Sequence, residues 1–282
     1  MKKYLSLIKF SHTIFAMPFA FIGFFLASQQ YNFKWLTLIY VVLCMVFARS
    51  AAMAFNRYID RNIDKLNDRT AQLREIPNGT ITPKNALIFV IINSLLFIGV
   101  TFLINPLCFN LSAIALLVIL GYSYTKRFTA LCHLVLGLGL SLAPIGAYLA
   151  VSGEFAIIPI LFSLVVLLWV SGFDIIYSLQ DEEFDKEQKL HSMPVLLGKK
   201  NALILSKILH FITTLILSYV GNIADFGKLY WIGFSIFSVL LIYQHTLVKH
   251  NNLSKINLAF FTTNGIASII FGAFVIANIL IK

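Results

Sequence analysis

Long apolar stretches alternate with short polar segments along the whole chain. Nine of them approach the roughly 20 residues that a helix needs to cross about 30 Å of hydrocarbon. They cover residues 13–30, 35–55, 86–104, 106–123, 131–151, 155–173, 201–221, 229–247 and 257–281. The first follows Lys2, Lys3 and Lys9, as a signal peptide would, but eight later stretches favour a retained helix. The pattern predicts an all-α, multi-pass transmembrane bundle of about nine helices, with residues 1–282 forming a single domain.

The composition agrees with a membrane protein. Hydrophobic residues make up 59% of the 282 positions and charged residues only 12%, unlike the balance of a soluble domain. The three cysteines, Cys44, Cys108 and Cys132, lie apart in apolar stretches, without the spacing of a metal site or a redox pair. We interpret them as small core residues that give no information about the compartment.

Basic residues are concentrated on one side of the predicted bundle. If the nine stretches cross the membrane, the N-terminus shares a side with four loops, near residues 56–85, 124–130, 174–200 and 248–256. All but Lys34, Lys228 and Lys282 of the 22 Lys and Arg lie in or next to these segments. This asymmetry places that side in the cytoplasm and accounts for the net charge of +10. The sequence has no basic stripe with interleaved stacking aromatics, so no nucleic-acid partner is predicted.

Ten of the twelve acidic residues fall in two short segments, each directly after an apolar stretch. In the first, FNRYIDRNIDKLNDRT, the residues Asn56, Asp60 and Asp64 are four positions apart. On a helix this spacing puts all three on one face. Acids beyond a span are commonly just solvated helix ends, and this segment alone is compatible with that interpretation.

The second acidic segment repeats the arrangement. In FDIIYSLQDEEFDKEQKLHSMP, one helical face carries four polar residues, Asp174, Tyr177, Asp181 and Asp185. The intervals from Asp60 to Asp181 and from Asp64 to Asp185 are equal, which suggests two related halves with acidic motifs at 56–64 and 174–185. Asp174 directly follows an apolar run, where an ionisable group is costly unless it serves a partner or an ion. Together the two segments predict a binding site.

The carboxylates indicate the chemistry of that site. Acids that face one another repel unless a cation neutralises them, and hard oxygen ligands of this kind suit Mg²⁺. Two such sites at a membrane boundary suggest a diphosphate whose apolar tail lies among the helices. If the tail were an isoprenoid, loss of the diphosphate would leave an allylic cation that aromatic walls shelter from water.

These residues resemble the UbiA superfamily of intramembrane aromatic prenyltransferases. Its NxxxDxxxD motif matches Asn56, Asp60 and Asp64, and its DxxYxxxDxxxD motif matches the second acidic face. The segment GYSYTKR adds Tyr122 and Lys126, which are similar to the family's YxxxK element. The ordered set covers nearly the whole chain and is far more specific than any one piece.

The resemblance implies nine helices around a central active-site cavity, capped on the cytoplasmic side and open laterally to lipid. It implies that Asp60, Asp64, Asp181 and Asp185 are catalytic and, with Asn56, hold Mg²⁺ and a polyprenyl diphosphate. Asp174 would support the second site, Tyr177 belongs to the same motif, and the candidate phosphate or acceptor contacts are Tyr122, Lys126, Arg127 and Arg69. For the three basic residues, a membrane-boundary role that draws the side chain toward water is an alternative. The family also implies an integral protein of the bacterial inner membrane, with its active site toward the cytoplasm.

The acceptor is less closely defined than the reaction. Several segments, among them NRYID and KFSHTIFAMPFA, most resemble the branch called 4-hydroxybenzoate polyprenyltransferase-like. The expected acceptor is a hydroxylated aromatic carboxylate, either 4-hydroxybenzoate in ubiquinone synthesis or a dihydroxynaphthoate in menaquinone synthesis. Arg57 stands where many members have an acid, which leaves both possibilities open. His12 and His191 are weaker candidates for acceptor or site contacts.

Two other classes of function are compatible with intramembrane acids. A secondary transporter would also have two related halves, but its carboxylates would lie near the membrane midplane. A CDP-alcohol phosphotransferase would use Asp-rich, Mg²⁺-dependent chemistry, but its DGxxAR core does not occur in the sequence. Cys132 and His133 are adjacent and do not predict a metal site, and His210, His245 and His250 form no recognisable constellation. Nothing in the sequence predicts a protein partner.

Overall fold

The structure is a computed structural model that describes residues 2–8 and 15–281. All its regular elements within these residues are helical. They are α1 (Lys2–Leu7), α2 (Met17–Ser28), α3 (Trp35–Ile59), α4 (Arg61–Leu66), α5 (Asp68–Ala71), α6 (Pro83–Ile104), α7 (Pro106–Thr125), α8 (Cys132–Ser152), α9 (Ile157–Ser178), α10 (Glu182–Glu187), α11 (Met193–Ile223), α12 (Lys228–Leu247) and α13 (Asn264–Ile281). A 3₁₀ turn, Leu179–Asp181, joins α9 to α10, and a π-helix, Leu258–Thr263, leads into α13.

Local sequence signals set several helix starts. The side chain of Thr82 accepts a hydrogen bond from the backbone N–H of Asn85, and Asn105 caps α7 in the same way through Cys108. Proline follows each cap at the first helical position, where its missing N–H leaves no hydrogen bond unmade. The Asn105 side chain also donates to the carbonyl of Leu149, which ties the α6–α7 turn to α8.

The long helices form a closed ring in chain order. Each packs on the next from α3 through α6, α7, α8, α9, α11, α12 and α13, and α13 then packs on α2, which also contacts α3. Eight helices within the described residues are long and apolar enough to cross a membrane, and α2 is a shorter apolar helix of 12 residues. This confirms the predicted all-α membrane bundle.

Aromatic side chains fill a large hydrophobic cluster in the core. Trp169 of α9, Phe19 of α2, Phe237 of α12 and Phe271 of α13 are wholly buried and lie in one cluster. The outer surface is also apolar, because large residues such as Leu117 and others on the spans remain exposed. An apolar exterior and an apolar interior are what a protein surrounded by lipid requires. The polar residues are left to gather at one end of the ring.

Candidate functional site

The polar end of the bundle contains a small, partly open recess with a cavity volume of about 60 Å³. It lies where the ends of α3, α7 and the short helices α4, α5 and α10 meet. Its polar lining consists of Asp60, Asp64, Asn67, Arg69, Thr70, Arg74, Lys126, Arg127 and Asp181. Both acidic segments and the α7–α8 loop therefore contribute to one site, although they are far apart in sequence.

Asp60 ends α3 and is held by two neighbours. Asn56, one turn earlier, donates from its amide to one carboxylate oxygen of Asp60 at 3.0 Å. Arg127 donates to the other oxygen at 2.9 Å and also to the carbonyls of Ile59 and Ser123. The fork of the guanidinium thus fixes the end of α3 against the end of α7.

Asp64 lies one turn further on, in α4, and is buried. It forms an ion pair with Arg74, and its backbone carbonyl accepts a hydrogen bond from the hydroxyl of Thr70. Burial raises the pKa of Asp64, and the attraction of Arg74 offsets part of that effect. The residue is thus held as a desolvated carboxylate that a cation has to neutralise.

Asp181 begins the corresponding arrangement in the second segment. Arg69 donates from one nitrogen to both oxygens of Asp181, at 2.6 and 2.7 Å, and from another to the hydroxyl of Tyr177 at 3.2 Å. Asn67 accepts from the backbone N–H of Arg69 and donates weakly to Asp181 at 3.5 Å. Burial opposes the charge of Arg69, but Asp181 outweighs it and raises the pKa of Arg69.

Asp185 is wholly buried and is paired with Lys126 across 2.7 Å. Burial alone would lower the pKa of Lys126, but this ion pair raises it above the usual value, so the ammonium stays charged. The second carboxylate oxygen of Asp185 has no hydrogen-bond partner within the described part of the chain. A buried, unsatisfied carboxylate oxygen is costly and suits a cation ligand.

The chemical type of the candidate ligands fits Mg²⁺. The residues expected to hold it are four carboxylates and the Asn56 amide, all oxygen ligands of the type that Mg²⁺ prefers. Each carboxylate is paired with a basic side chain in this structure, and no three acidic, histidine or cysteine side chains among the described residues converge as a preformed metal cluster. Each ion pair can therefore separate when ligands bind, so that the acids bind a metal cation and the bases bind an anion.

Asp174 lies apart from these ion pairs. It sits in α9, seven residues before Asp181, and one oxygen contacts Nδ1 of His133 at 2.7 Å. The other ring nitrogen of His133 accepts the backbone N–H of Met193 at 3.2 Å. His133 was not a predicted site residue, because nothing in the sequence relates it to a carboxylate 41 positions away.

Two further arginines lie in α3, Arg49 on the bundle side of the first motif and Arg57 within the motif. Arg57 is buried near Asp64 and Glu75. Arg49 has a buried Nε without a hydrogen-bond partner and forms no ion pair with any residue the structure describes. Tyr122 of the YxxxK element lies within electrostatic range of both arginines and of Asp60 and Asp174. Arg49 was not predicted as a site residue, because a single arginine in an apolar stretch belongs to no recognisable motif.

The remaining candidates have separate positions. His12 lies outside the described residues. His191 is exposed, and its described contacts use the backbone, with its N–H donating to the carbonyl of Lys126 at 2.8 Å. Not all acids converge either, because Glu75 accepts from Ser6 and Glu182 pairs with Lys186. Both acids are buried, and their contacts are structural.

Comparison with known proteins identifies relatives along nearly the full length. The sequence model of the UbiA prenyltransferase family matches residues 16–266. A protein named 4-hydroxybenzoate octaprenyltransferase from Aeromonas hydrophila subsp. hydrophila is 31% identical over 89% of this chain and 86% of its own. The apo structure of a UbiA homolog from Aeropyrum pernix K1 is 32% identical, with a TM-score of 0.86 over 94% of this chain and 97% of that one. A UbiA homolog from Archaeoglobus fulgidus bound to DMAPP and Mg²⁺ shares the fold, with a TM-score of 0.75 at 24% identity over 99% and 100% of the two chains.

Proposed function

The chain belongs to the UbiA prenyltransferase family, and we propose that it transfers a polyprenyl group from polyprenyl diphosphate to a ring carbon of a hydroxylated aromatic carboxylate. The observation that carries the proposal is the recess of paired acids and bases at the polar end of an apolar helix ring. A diphosphate head fits the charges of the recess, and a polyprenyl tail fits the lipid-like surroundings of the helices. The charge asymmetry of the loops supports a recess that faces the cytoplasm.

The donor head would be held by two sets of residues. Asn56, Asp60, Asp64, Asp181 and Asp185 would hold Mg²⁺, as their oxygen ligands and the unsatisfied oxygen of Asp185 support. When bound, Mg²⁺ offsets the charge of the diphosphate and stabilises it as a leaving group.

Basic side chains would bind the phosphate oxygens of the donor directly. Arg69, Lys126 and Arg127 line or border the recess, and each is already placed beside a carboxylate. Arginine binds phosphate through a planar fork and lysine as a point charge. These three residues therefore orient the departing group and keep its negative charge away from the cation that forms.

The acceptor carboxylate requires a cation of its own, deeper in the bundle. We assign this role to Arg49, whose buried Nε has no hydrogen-bond partner and which forms no ion pair with any described residue. Arg57 of α3 also lacks a partner for its Nε, but it lies within the first motif, next to Asn56. Arg49 is seven residues before Asn56, so it lies on the same helix face, about 10 Å further from the polar end. The relative named 4-hydroxybenzoate octaprenyltransferase favours 4-hydroxybenzoate over a dihydroxynaphthoate as the acceptor.

The bond changes follow from these positions. The bond between C1 of the prenyl chain and the diphosphate oxygen breaks, and its electron pair leaves with the diphosphate. A ring carbon made electron-rich by the acceptor hydroxyl then bonds to C1. Loss of the proton from that ring carbon restores aromaticity. Phe and Tyr side chains near the allylic cation exclude water, which would otherwise capture it.

The test is a reaction with purified protein, Mg²⁺, a polyprenyl diphosphate and, in parallel, 4-hydroxybenzoate or 1,4-dihydroxy-6-naphthoate, with products identified by mass. We expect a prenylated benzoate, and loss of it by roughly 10²-fold or more in Asp60→Asn and Asp181→Asn protein. Asp68→Asn is the matched control, because Asp68 is an exposed acid of the same segment. Full activity in either recess variant would overturn the proposal, and product from the naphthoate alone would overturn the choice of acceptor.

A secondary transporter is less well supported. Its carboxylates would lie near the midplane, whereas the paired acids here gather at one end of the helices. Substrate flux in sealed vesicles, without a prenylated product, would favour that alternative.

A further inference from the structure

Asp174 differs from the other carboxylates of the two motifs in its partner. Asp60, Asp64, Asp181 and Asp185 are each paired with an arginine or a lysine. Asp174 contacts an imidazole instead, and no lysine or arginine in the described ranges forms an ion pair with it. A permanent cation stabilises a carboxylate and weakens it as a base, whereas a neutral donor weakens it much less.

The hydrogen bonds of His133 fix its tautomer. A backbone N–H can only donate, so Nε2 of His133, which receives the N–H of Met193, carries a lone pair. The ring proton is therefore on Nδ1 and is donated to Asp174. The ring is neutral in this arrangement, because only one of its two nitrogens carries a proton.

The pair is held rigidly. The His133 side chain is buried, and its backbone carbonyl accepts a hydrogen bond from Ser171 of α9 at 3.1 Å. Both ring nitrogens are occupied by residues of other helices, Asp174 in α9 and Met193 in α11. One oxygen of Asp174 is bound to His133, and the Asp174 side chain is about one-fifth exposed. The second oxygen is thus presented at a fixed position.

Asp174 lies at about the same distance from the polar end of the bundle as the proposed acceptor site. It lies seven residues before Asp181, about 10 Å further from the polar end along the helix. Arg49 lies at the same offset from the first motif. Tyr122 lies within electrostatic range of both Arg49 and Asp174. An acceptor whose carboxylate is on Arg49 would have its ring between these residues.

We propose that Asp174 is the base that takes the ring proton of the acceptor, and that His133 is the positioning residue that holds it. The proposal rests on the proposed function. After C1 of the prenyl chain has bonded to the ring carbon, the C–H bond at that carbon breaks, its electron pair restores the aromatic ring, and the proton passes to the free oxygen of Asp174. The proton then leaves to water with the product, and the diphosphate carries away the electron pair of the broken C–O bond.

The decisive measurement is a kinetic isotope effect with 4-hydroxybenzoate deuterated on the ring. In the wild type, proton removal follows bond formation and we expect no isotope effect on kcat. In Asp174→Asn, kcat should fall by roughly 10²-fold or more, as for loss of a general base, and a primary isotope effect should appear. The Mg²⁺-dependent affinity for polyprenyl diphosphate should stay as in the wild type.

The possible outcomes distinguish failure of the proposed function from failure of the role of Asp174. If the wild type makes no prenylated product, the proposed function itself fails. If it makes product and Asp174→Asn keeps the wild-type kcat, or loses activity without an isotope effect, this inference alone is overturned.

His133 is tested by a pair of substitutions. His133→Asn places an amide N–H near the position of Nδ1 and should retain most of the activity, whereas His133→Leu removes the donor and should lower kcat about tenfold or more. His250→Leu, at an exposed histidine, is the matched control. Equal losses in the Asn and Leu variants, with equal losses in melting temperature, would show a purely structural role and overturn the assignment.

Discussion

At the scale of single residues, the carboxylates of the recess are defined by the basic residues that neutralise them. The sequence predicts the acids, because their spacing repeats on a helix face. It does not predict that Asp64 pairs with Arg74, or that Asn67 reaches Asp181, because these contacts depend on how the loop after α4 folds back. Partners that lie more than a few turns apart leave no periodic signal.

Arg127 should not be replaceable by lysine. Its guanidinium bonds Asp60 and two backbone carbonyls at once, and a lysine ammonium cannot reproduce this planar fork. We expect Arg127→Lys to lower kcat/KM for the prenyl donor by roughly tenfold to a hundredfold, with unchanged charge. Arg61→Lys is the control, because Arg61 bonds the Tyr58 carbonyl and does not line the recess. Steady-state kinetics with the donor varied would show the difference.

Arg49 should act on the acceptor alone. Arg49→Gln removes the charge proposed to hold the acceptor carboxylate, and we expect KM for 4-hydroxybenzoate to rise roughly tenfold to a hundredfold. The KM for the polyprenyl diphosphate should change little, because the recess lies about 10 Å away. Kinetics with each substrate varied in turn provide the check, and a rise confined to the donor KM would contradict the assignment.

At the scale of elements, the helix starts are the best predicted features. Thr82 before Pro83 and Asn105 before Pro106 are capping signals that need no tertiary information. The segment after α9 is less predictable, since a 3₁₀ turn and α10 continue it to Glu187 beyond the apolar limit at residue 173. The polar site is therefore built on helical turns that a hydropathy pattern does not delimit.

Helix α2 depends on a close approach to α8. A Cβ added to Gly23 would lie 2.0 Å from the carbonyl oxygen of Pro144 and 2.8 Å from its carbonyl carbon, so the two backbones would have to separate. We expect Gly23→Ala to cost about 1–3 kcal/mol. Gly99→Ala is the control, because nothing lies within 4 Å of the Cβ position there. Thermal unfolding in detergent would show a lower midpoint for the first variant only.

At the scale of the whole molecule, the sequence predicts the class of fold well. It does not predict how the ring of helices closes. Apolar stretches identify the spans, but the contact of α13 with α2 that closes the ring joins the two ends of the sequence. The equal intervals between the motifs predict two related halves, and that stays a prediction. The shared recess could be predicted only through the family resemblance, since hydropathy does not say which loops meet.

Orientation is a property of the complete bundle. The basic loops predict that Lys65 faces the cytoplasm and Lys34 the opposite side, and both side chains are exposed. In a variant without Cys44, Cys108 and Cys132, we expect Lys65→Cys to react with a membrane-impermeant maleimide only in inverted vesicles. Lys34→Cys should react in intact cells. The reverse pattern would place the recess on the outer side.

The pairing of every recess acid with a base also has a thermodynamic consequence. Mg²⁺ bound alone would displace the bases and leave them unpaired, and diphosphate bound alone would do the same to the acids. Each ligand therefore relieves the cost of the other, and linkage requires that the gain in affinity be equal in both directions. Isothermal titration should show that inorganic diphosphate tightens Mg²⁺ binding roughly 5-fold to 150-fold, and that Mg²⁺ tightens diphosphate binding by the same factor. Independent binding of the two would mean that the ion pairs persist in the loaded enzyme. With this coupling, the protein responds to the metal–diphosphate complex as a single ligand and is nearly indifferent to either part.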